Sequence, residues 1–452
     1  MNKKTNNFSS RIGFVLAAAG SAVGLGNLWR FPYLAAKYGG GIFLLIYLLL
    51  AITFGFALMI TEIAIGRKTG KSAMTAFASL DKRFSFIGYL ACIVPVIIFP
   101  YYCVIGGWVV KYAIVFLKGE VTQATNSTYF TDFIGSTAEP LVWLIVFMAL
   151  CGVVVMMGVQ KGIEKVSKLL MPMLVLLSII IAGYVMTLDG AMDGVIYFLK
   201  PDFSRFSANA VLAAMGQLFY SMSLAMGIMI TYGSYMNKED SLDGCVKQIE
   251  IFDTGIAMVA GLIIIPAVFA FSNGDNSVLS SGPSLMFITL PNVFASMKFG
   301  RVIGSLFFIL VLFAALTSAI SLMETIVSII SDLVSWSRVK ICVIVLIGSM
   351  LLAIPSSLGN GVWASIQIIG FSILDFFDFI SNSILMPIVA LLTCYFAGYV
   401  LKPKVIEEEV ETNGETFGRK KIFGVLIRYV APICLILILI TSILSALNII
   451  QL

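Results

Sequence analysis

The sequence predicts an all-α polytopic membrane protein of eleven transmembrane helices, built as a 5+5 inverted repeat in which helices 1 and 6 are broken. Three observations predict it. The 452 residues are 60% hydrophobic and only 12% charged, with a mean hydropathy of +1.02, and a soluble chain carries about twice that charge. Apolar stretches of about 20 residues, the length that crosses a bilayer, recur through the whole chain. Two of these stretches, five spans apart, are interrupted by glycines and polar residues, as in carriers whose binding site lies between inverted repeats.

The predicted spans are 12–36, 42–66, 86–117, 141–158, 167–187, 207–235, 243–271, 297–330, 339–354, 362–398 and 422–448. Several exceed the length a bilayer needs, which implies tilt or extension beyond it. Lys and Arg set the orientation. Arg67, Lys68, Lys71, Lys82 and Arg83 mark the 67–83 loop as cytoplasmic, and Lys161, Lys165 and Lys168 mark the 159–168 loop likewise. The 119–140 loop has Glu120, Asp132 and Glu139 and no Lys or Arg, so it lies outside. The N terminus is then cytoplasmic and, with eleven spans, the C terminus is outside.

The chain divides into a cytoplasmic N-terminal segment (1–10), a first repeat (11–188), an extracellular loop (189–206), a second repeat (207–398), a cytoplasmic loop (399–421) and a last helix with the C terminus (422–452). Residues 1–10 have no apolar core of a cleaved signal peptide. The 401–421 stretch mixes Glu407, Glu408 and Glu409 with Arg419, Lys420 and Lys421 and reads as a solvated linker.

Composition excludes several function classes. There is no His, which removes histidine-based catalysis and His metal sites. The seven Cys form no CxxC pair and lie far apart in or beside apolar spans, so neither disulfides nor zinc are expected. The net charge of +5 sits in short loops beside spans and does not point to nucleic acid. Without His, HExxH or GxSxG, the chain does not read as an enzyme. The sequon Asn126-Ser127-Thr128 reads as chance.

The first break lies in Gly20-Ser21-Ala22-Val23-Gly24-Leu25-Gly26-Asn27-Leu28-Trp29-Arg30-Phe31-Pro32. Polar groups freed at that depth cost several kcal/mol unless protein or an ion satisfies them. Gly20 and Gly24 also fit GxxxG packing, but Asn27, Arg30 and the second break favour a binding role. That second break is Gln217-Leu218-Phe219-Tyr220-Ser221-Met222-Ser223-Leu224-Ala225-Met226-Gly227. Arg30 either snorkels to the interface or pairs with an acid on another span, for which Asp378 is the first candidate and Asp375 is equally placed. Thr317 and Ser318 either back-bond to the preceding turn or offer oxygens to a hard cation. Glu62 and Asp253 are carboxylates inside spans, a placement that defaults to function. For Glu62 a structural role on freed N–H groups is at least as good a reading, while Asp253 fits an ion site better.

The run from Ser21 to Tyr33 resembles the first-helix signature of the neurotransmitter:sodium symporter family. The resemblance extends from about residue 8 to 448 and includes Gly39-Gly40-Gly41, Glu62 with Gly66-Arg67, Tyr101-Tyr102, Ile288-Thr289-Leu290-Pro291 and Leu316-Thr317-Ser318. It implies an inner-membrane bacterial carrier that moves an amino acid with Na⁺ by alternating access. One Na⁺ site would use Ala22, Asn27, Ser221, Asp253 and the substrate carboxylate, and the other Gly20, Val23, Ala314, Thr317 and Ser318. The substrate would lie among Ala22, Gly24, Leu25, Gly26, Ile98, Tyr102, Tyr220, Ser221, Ser223, Met226, Ser318 and Leu322. Arg30, Gln217 and Asp378 match the outer gate, and Ser234, Tyr235 and Asp332 the inner one.

Departures from the family pattern refine the expectation. Ile98 stands where amine carriers have an Asp, so a substrate that brings its own carboxylate is favoured. In chloride-dependent relatives Tyr47, Gln217, Ser221 and a span-seven Ser would hold Cl⁻. Here Ala257 takes the Ser position and Asp253 stands where many members have Asn, which implies transport without chloride. Protonation of Asp253 on the empty return step would also carry H⁺ outward. Ile98, Tyr220, Met226 and Leu322 imply a pocket for neutral hydrophobic amino acids, branched-chain or aromatic. A small substrate such as alanine, glycine or an osmolyte is the alternative, and a substrate-gated channel or sensor is a more distant one. At the inner gate Phe8 replaces a usual Trp, and Lys3 or Lys4 must replace an Arg whose place Thr5 takes.

Overall fold

Leu, Ile, Val, Phe and Ala in runs leave the backbone no partner in a bilayer except itself, so each run closes into a helix. The computed structural model describes residues 7–272 and 282–446, and among them the regular structure is helical, with two isolated bridge pairs, Gly40 with Pro201 and Ile368 with Phe371. Among the described residues nine helices are long and apolar enough to cross a membrane: Gly41–Thr69, Lys82–Lys118, Ala138–Met156, Val159–Val185, Leu242–Ser272, Gly300–Leu333, Arg338–Leu358, Ile373–Val400 and Lys420–Ala446. We call these spans 2, 3, 4, 5, 7, 8, 9, 10 and 11. A tenth crossing is the pair Arg11–Ala22 and Gly26–Lys37, bent by 53°, which we call spans 1a and 1b. Ala208–Ser221 and Ile228–Ser234, spans 6a and 6b, are each too short to cross alone and flank a non-helical stretch at 222–227.

Termini of the helices follow their local chemistry. Ser10 caps span 1a by accepting from the Gly13 N–H, and Ser207 caps span 6a by accepting from Ala210. Span 2 ends at Gly70 in the left-handed region (φ 61°). Span 1a lies against spans 5, 7 and 8, span 3 runs along span 8, and span 6b packs on span 2. The two breaks therefore sit in the middle of the bundle.

Two loops depart from the sequence reading. Residues 285–296, placed by hydropathy before span 8, form their own short helix, Leu285–Ser296. Its Phe287 stacks on Phe130 at 5.0 Å and packs on Tyr112 at 5.0 Å, and the Tyr112 hydroxyl donates to the Phe287 carbonyl at 2.9 Å. The 401–421 stretch is not a free solvated linker. Pro403–Val410 is helical, with Pro403, Ile406 and Val410 buried at helical spacing. Its Glu409 is buried too, against Arg67 of span 2 at 2.8 Å. The apolar spacing was visible in sequence, whereas the long-range ion pair was not.

Candidate functional site: the space between the two breaks

Helix 1 stops at Ala22, where Val23 turns extended (φ −73°, ψ 98°), and resumes at Gly26 with a π-helical turn. Small residues are required at the break. A Cβ on Gly24 would stand 2.8 Å from Ser318 Oγ and 3.1 Å from the Tyr102 hydroxyl, and one on Gly26 would stand 2.8 Å from the Tyr220 ring. Helix 6 stops at Ser221 and resumes at Ile228. Between them Ser223 (φ 52°), Ala225 (φ 60°) and Gly227 (φ 72°) are left-handed, a conformation that costs an L-residue about 1–2 kcal/mol. Tertiary bonds hold it. Glu62 accepts from the Ala225 N–H at 2.7 Å, and the Ser223 hydroxyl donates to the Ser21 carbonyl at 2.9 Å. Glu62 is thus bonded to the unwound backbone, the structural role read for it above.

The breaks face a common cavity. Ala22, Gly24, Leu25, Gly26, Ile98, Tyr102, Tyr220, Ser221, Ser223, Met226, Ser318 and Leu322 all line it, joined by Ser21 and Ile228. Its polar side carries the Leu25 N–H, which donates to the Tyr102 hydroxyl at 3.4 Å. Ile98, Met226 and Leu322 are buried and supply apolar surface.

Two oxygen clusters flank the cavity. In the first, Asp253 of span 7 is 1% exposed and its Oδ1 accepts from Asn27 Nδ2 at 2.8 Å and Ser221 Oγ at 2.7 Å. Its Oδ2 accepts from the Tyr47 hydroxyl at 3.3 Å. All three partners are neutral, and among the described residues no Lys or Arg pairs with Asp253. A buried carboxylate without a counter-charge costs several kcal/mol, and one monovalent cation would balance this one. Ala257, one turn away, is fully buried. In the second cluster Ser318 Oγ lies 3.3 Å from the Gly20 carbonyl, 3.0 Å from that of Ser21 and 3.3 Å from that of Val23. Thr317 Oγ1 donates to the Phe313 carbonyl at 3.0 Å and the Ala314 carbonyl at 3.1 Å. The back-bonding reading thus describes Thr317, while Ser318 turns to the broken helix. Among the described residues no three His, Cys, Asp or Glu converge as a multivalent-metal site would need.

At the end of the bundle expected to face outward, Arg30 lies over the Tyr220 ring, 5.2 Å from its centre, and Gln217 donates to the Gly26 carbonyl at 2.9 Å. Asp378 is exposed and accepts from Asn382 at 2.6 Å. Among the described residues no ion pair joins Arg30 to Asp378, although Arg30 acts on it at longer Coulombic range. Asp375 is taken up by Ser372, which donates to it at 2.7 Å and caps the start of span 10. That separates two acids the sequence left equal.

At the opposite end, expected to face the cytoplasm, Ser234, Tyr235 and Asp332 line one cavity with Arg67 and Arg338. Their bonds run elsewhere than to one another. Ser234 donates to the Thr231 carbonyl at 2.6 Å, and the Tyr235 hydroxyl to Glu324 at 2.9 Å. Glu324, fully buried in span 8 and paired with Arg338, was missed in the sequence reading. An acid inside an apolar run was its signal. Phe8 fills its position well: it is 2% exposed, edge-on to Phe14 and Tyr232 at 5.6 Å each, and its N–H donates to the Tyr235 carbonyl at 3.0 Å. Lys3, Lys4 and Thr5 lie outside the described residues.

Two broken helices around a shared cavity flanked by oxygen clusters define a membrane carrier of the inverted-repeat class. Comparison with known sequences agrees. The sodium:neurotransmitter symporter family matches residues 5–134 and 130–450, and the chain belongs to that family. It is 35% identical to an uncharacterised sodium-dependent transporter of Bacillus subtilis (strain 168) over 96% of this chain and 97% of the relative. A second such transporter, from Haemophilus influenzae, is 34% identical over 98% and 99%. Among solved structures, MhsT in complex with L-phenylalanine is similar at 36% identity with a TM-score of 0.87, over 97% of this chain and 99% of that one. The chain is therefore a sodium-dependent, multi-pass membrane transporter and not an enzyme.

Proposed function

We propose that this transporter takes up neutral hydrophobic L-amino acids, branched-chain or aromatic, together with Na⁺ and independently of chloride. The observation that carries the reading is the cavity between the breaks, polar at Tyr102, Leu25 and Ser221 and apolar at Ile98, Met226 and Leu322. A zwitterion would fit with its carboxylate toward the Tyr102 hydroxyl, the N–H groups of Leu25 and Gly26 and a Na⁺. Its ammonium would face the carbonyls freed at the second break. The relative bound to L-phenylalanine supports an aromatic substrate. Two Na⁺ would be cargo, one at Ala22, Asn27, Ser221 and Asp253, the other at Gly20, Val23, Ala314, Thr317 and Ser318. Asp253 accepts from Tyr47 and Ser221, two of the groups that would otherwise hold Cl⁻, which supports chloride independence.

The chain would sit in a bacterial plasma membrane with its N terminus in the cytoplasm and its C terminus outside. Residues 11–188 and 207–398 would be the two repeats that rock against each other. The driving force suffices: two Na⁺ crossing a tenfold gradient and about 100 mV supply on the order of 7 kcal/mol, none of it opposed electrically by a zwitterion. Equilibrium binding of L-phenylalanine, L-leucine, L-alanine and glycine to the purified chain tests the substrate class. Na⁺-dependent binding of the first two in chloride-free buffer is expected. Preference for alanine or glycine would replace the substrate class with the small one.

A further inference from the structure

We propose that cytoplasmic closure of this carrier is made by the corner between spans 2 and 3, residues 67–75, docked on Asp332 of span 8 and on Glu409 of the loop between spans 10 and 11. The proposal rests on the alternating-access reading above. Asp332 Oδ2 accepts from the Ser72 N–H at 2.9 Å, the Ser72 hydroxyl at 2.6 Å and the Thr75 hydroxyl at 2.7 Å. Ser72 precedes the helix Ala73–Leu80, yet its own side chain makes no capping bond there. The Asp332 carboxylate, from another span, instead holds Ser72 through that residue's own N–H and hydroxyl. A helix start favours a negative charge, and among the described residues no basic side chain pairs with Asp332.

At the other end of the corner, Arg67 is buried and its guanidinium reaches three oxygens from two distant segments. Nε donates to Glu409 Oε1 at 2.8 Å, one terminal nitrogen to the Glu409 carbonyl, and the other to the Asp240 carbonyl at 2.9 Å. The 401–421 loop is itself tied to span 7. Arg419 pairs with Asp243 at 2.8 Å and Glu250 at 3.1 Å and lies 4.0 Å over the Phe56 ring, while Ser241 donates to Glu415. Arg67, Gly70 and Asp332 all line the inner cavity. The corner thus joins span 2, span 8 and the 401–421 loop across the mouth that must widen to release substrate inward. Ser72, Thr75 and Glu409 are positioning residues in this scheme and touch neither substrate nor ion.

The reporter is Ser328→Cys, at a buried position on the inner cavity wall, labelled with a membrane-impermeant thiol reagent from the cytoplasmic face. The full chain in Na⁺ and in K⁺ is compared, with native-cysteine labelling of the unaltered chain subtracted. Adding Ser72→Ala with Thr75→Val, or separately Glu409→Gln, is expected to raise the labelling rate in Na⁺ about tenfold and to shrink its difference from K⁺. Thr75→Val alone, the mildest change, is expected to move the rate in the same direction. A Na⁺-sensitive rate that all three variants leave within about twofold of the reporter chain overturns the corner while the transport reading stands. A reporter rate indifferent to Na⁺ overturns both.

Discussion

Asp253 combines two demands that ordinarily conflict. It is buried, and its partners Asn27, Ser221 and Tyr47 are neutral. Replacing it with Asn removes the fixed negative charge while leaving most of the hydrogen-bonding shape. Asp253→Asn is expected to lower uptake in chloride-free buffer by about 100-fold, with partial recovery when Cl⁻ is added. Uptake measured in gluconate and in chloride reads both effects. Ser318 Oγ lies within 3.3 Å of three carbonyls of the broken helix, so Ser318→Ala is expected to raise the Na⁺ concentration for half-maximal uptake about tenfold, a loss of about 1.4 kcal/mol. Gly26→Ala places a methyl against the Tyr220 ring at 2.8 Å. It is expected to weaken substrate binding at saturating Na⁺ about tenfold, read by equilibrium binding.

The broken helices were legible in sequence because their chemistry is local: three glycines within seven residues from Gly20 to Gly26, then Asn27 and Arg30. The acids were less so. Asp375 and Asp378 differ by less than one helical turn, and only the phase of span 10, set by packing, gives one to Ser372 and the other to Asn382. The Leu285–Ser296 helix falls between the predicted spans 243–271 and 297–330 and is too short to read as a crossing. At the inner end Phe8 fills the space between Phe14, Tyr232 and Tyr235. Emptying it with Phe8→Ala is expected to cost about 3–5 kcal/mol of packing. Lower thermal stability and faster exchange of the span 1a amides would show it, and an unchanged exchange pattern would show that Phe8 holds nothing.

Across the whole molecule, what the sequence could not show are contacts made over hundreds of residues. Arg67 and Glu409 lie 342 positions apart, and nothing in the charge pattern of the 401–421 stretch distinguishes a buried pair from a solvated one. Hydropathy alone does place the long apolar helices, nine among the described residues and a tenth where the bent pair is one span, against the eleven expected. The cavity residues fall between: the resemblance put twelve of them at one site, and the structure gathers all twelve around one space. Their convergence depends on the two breaks meeting in mid-bundle.

Uptake of labelled L-phenylalanine into proteoliposomes, with Na⁺ or K⁺ outside and Cl⁻ or gluconate as the anion, tests that arrangement most directly. The account predicts saturable accumulation that requires Na⁺ and is the same in chloride and gluconate. Accumulation that requires chloride would contradict the role given to Asp253, and uptake indifferent to Na⁺ would contradict the coupling itself.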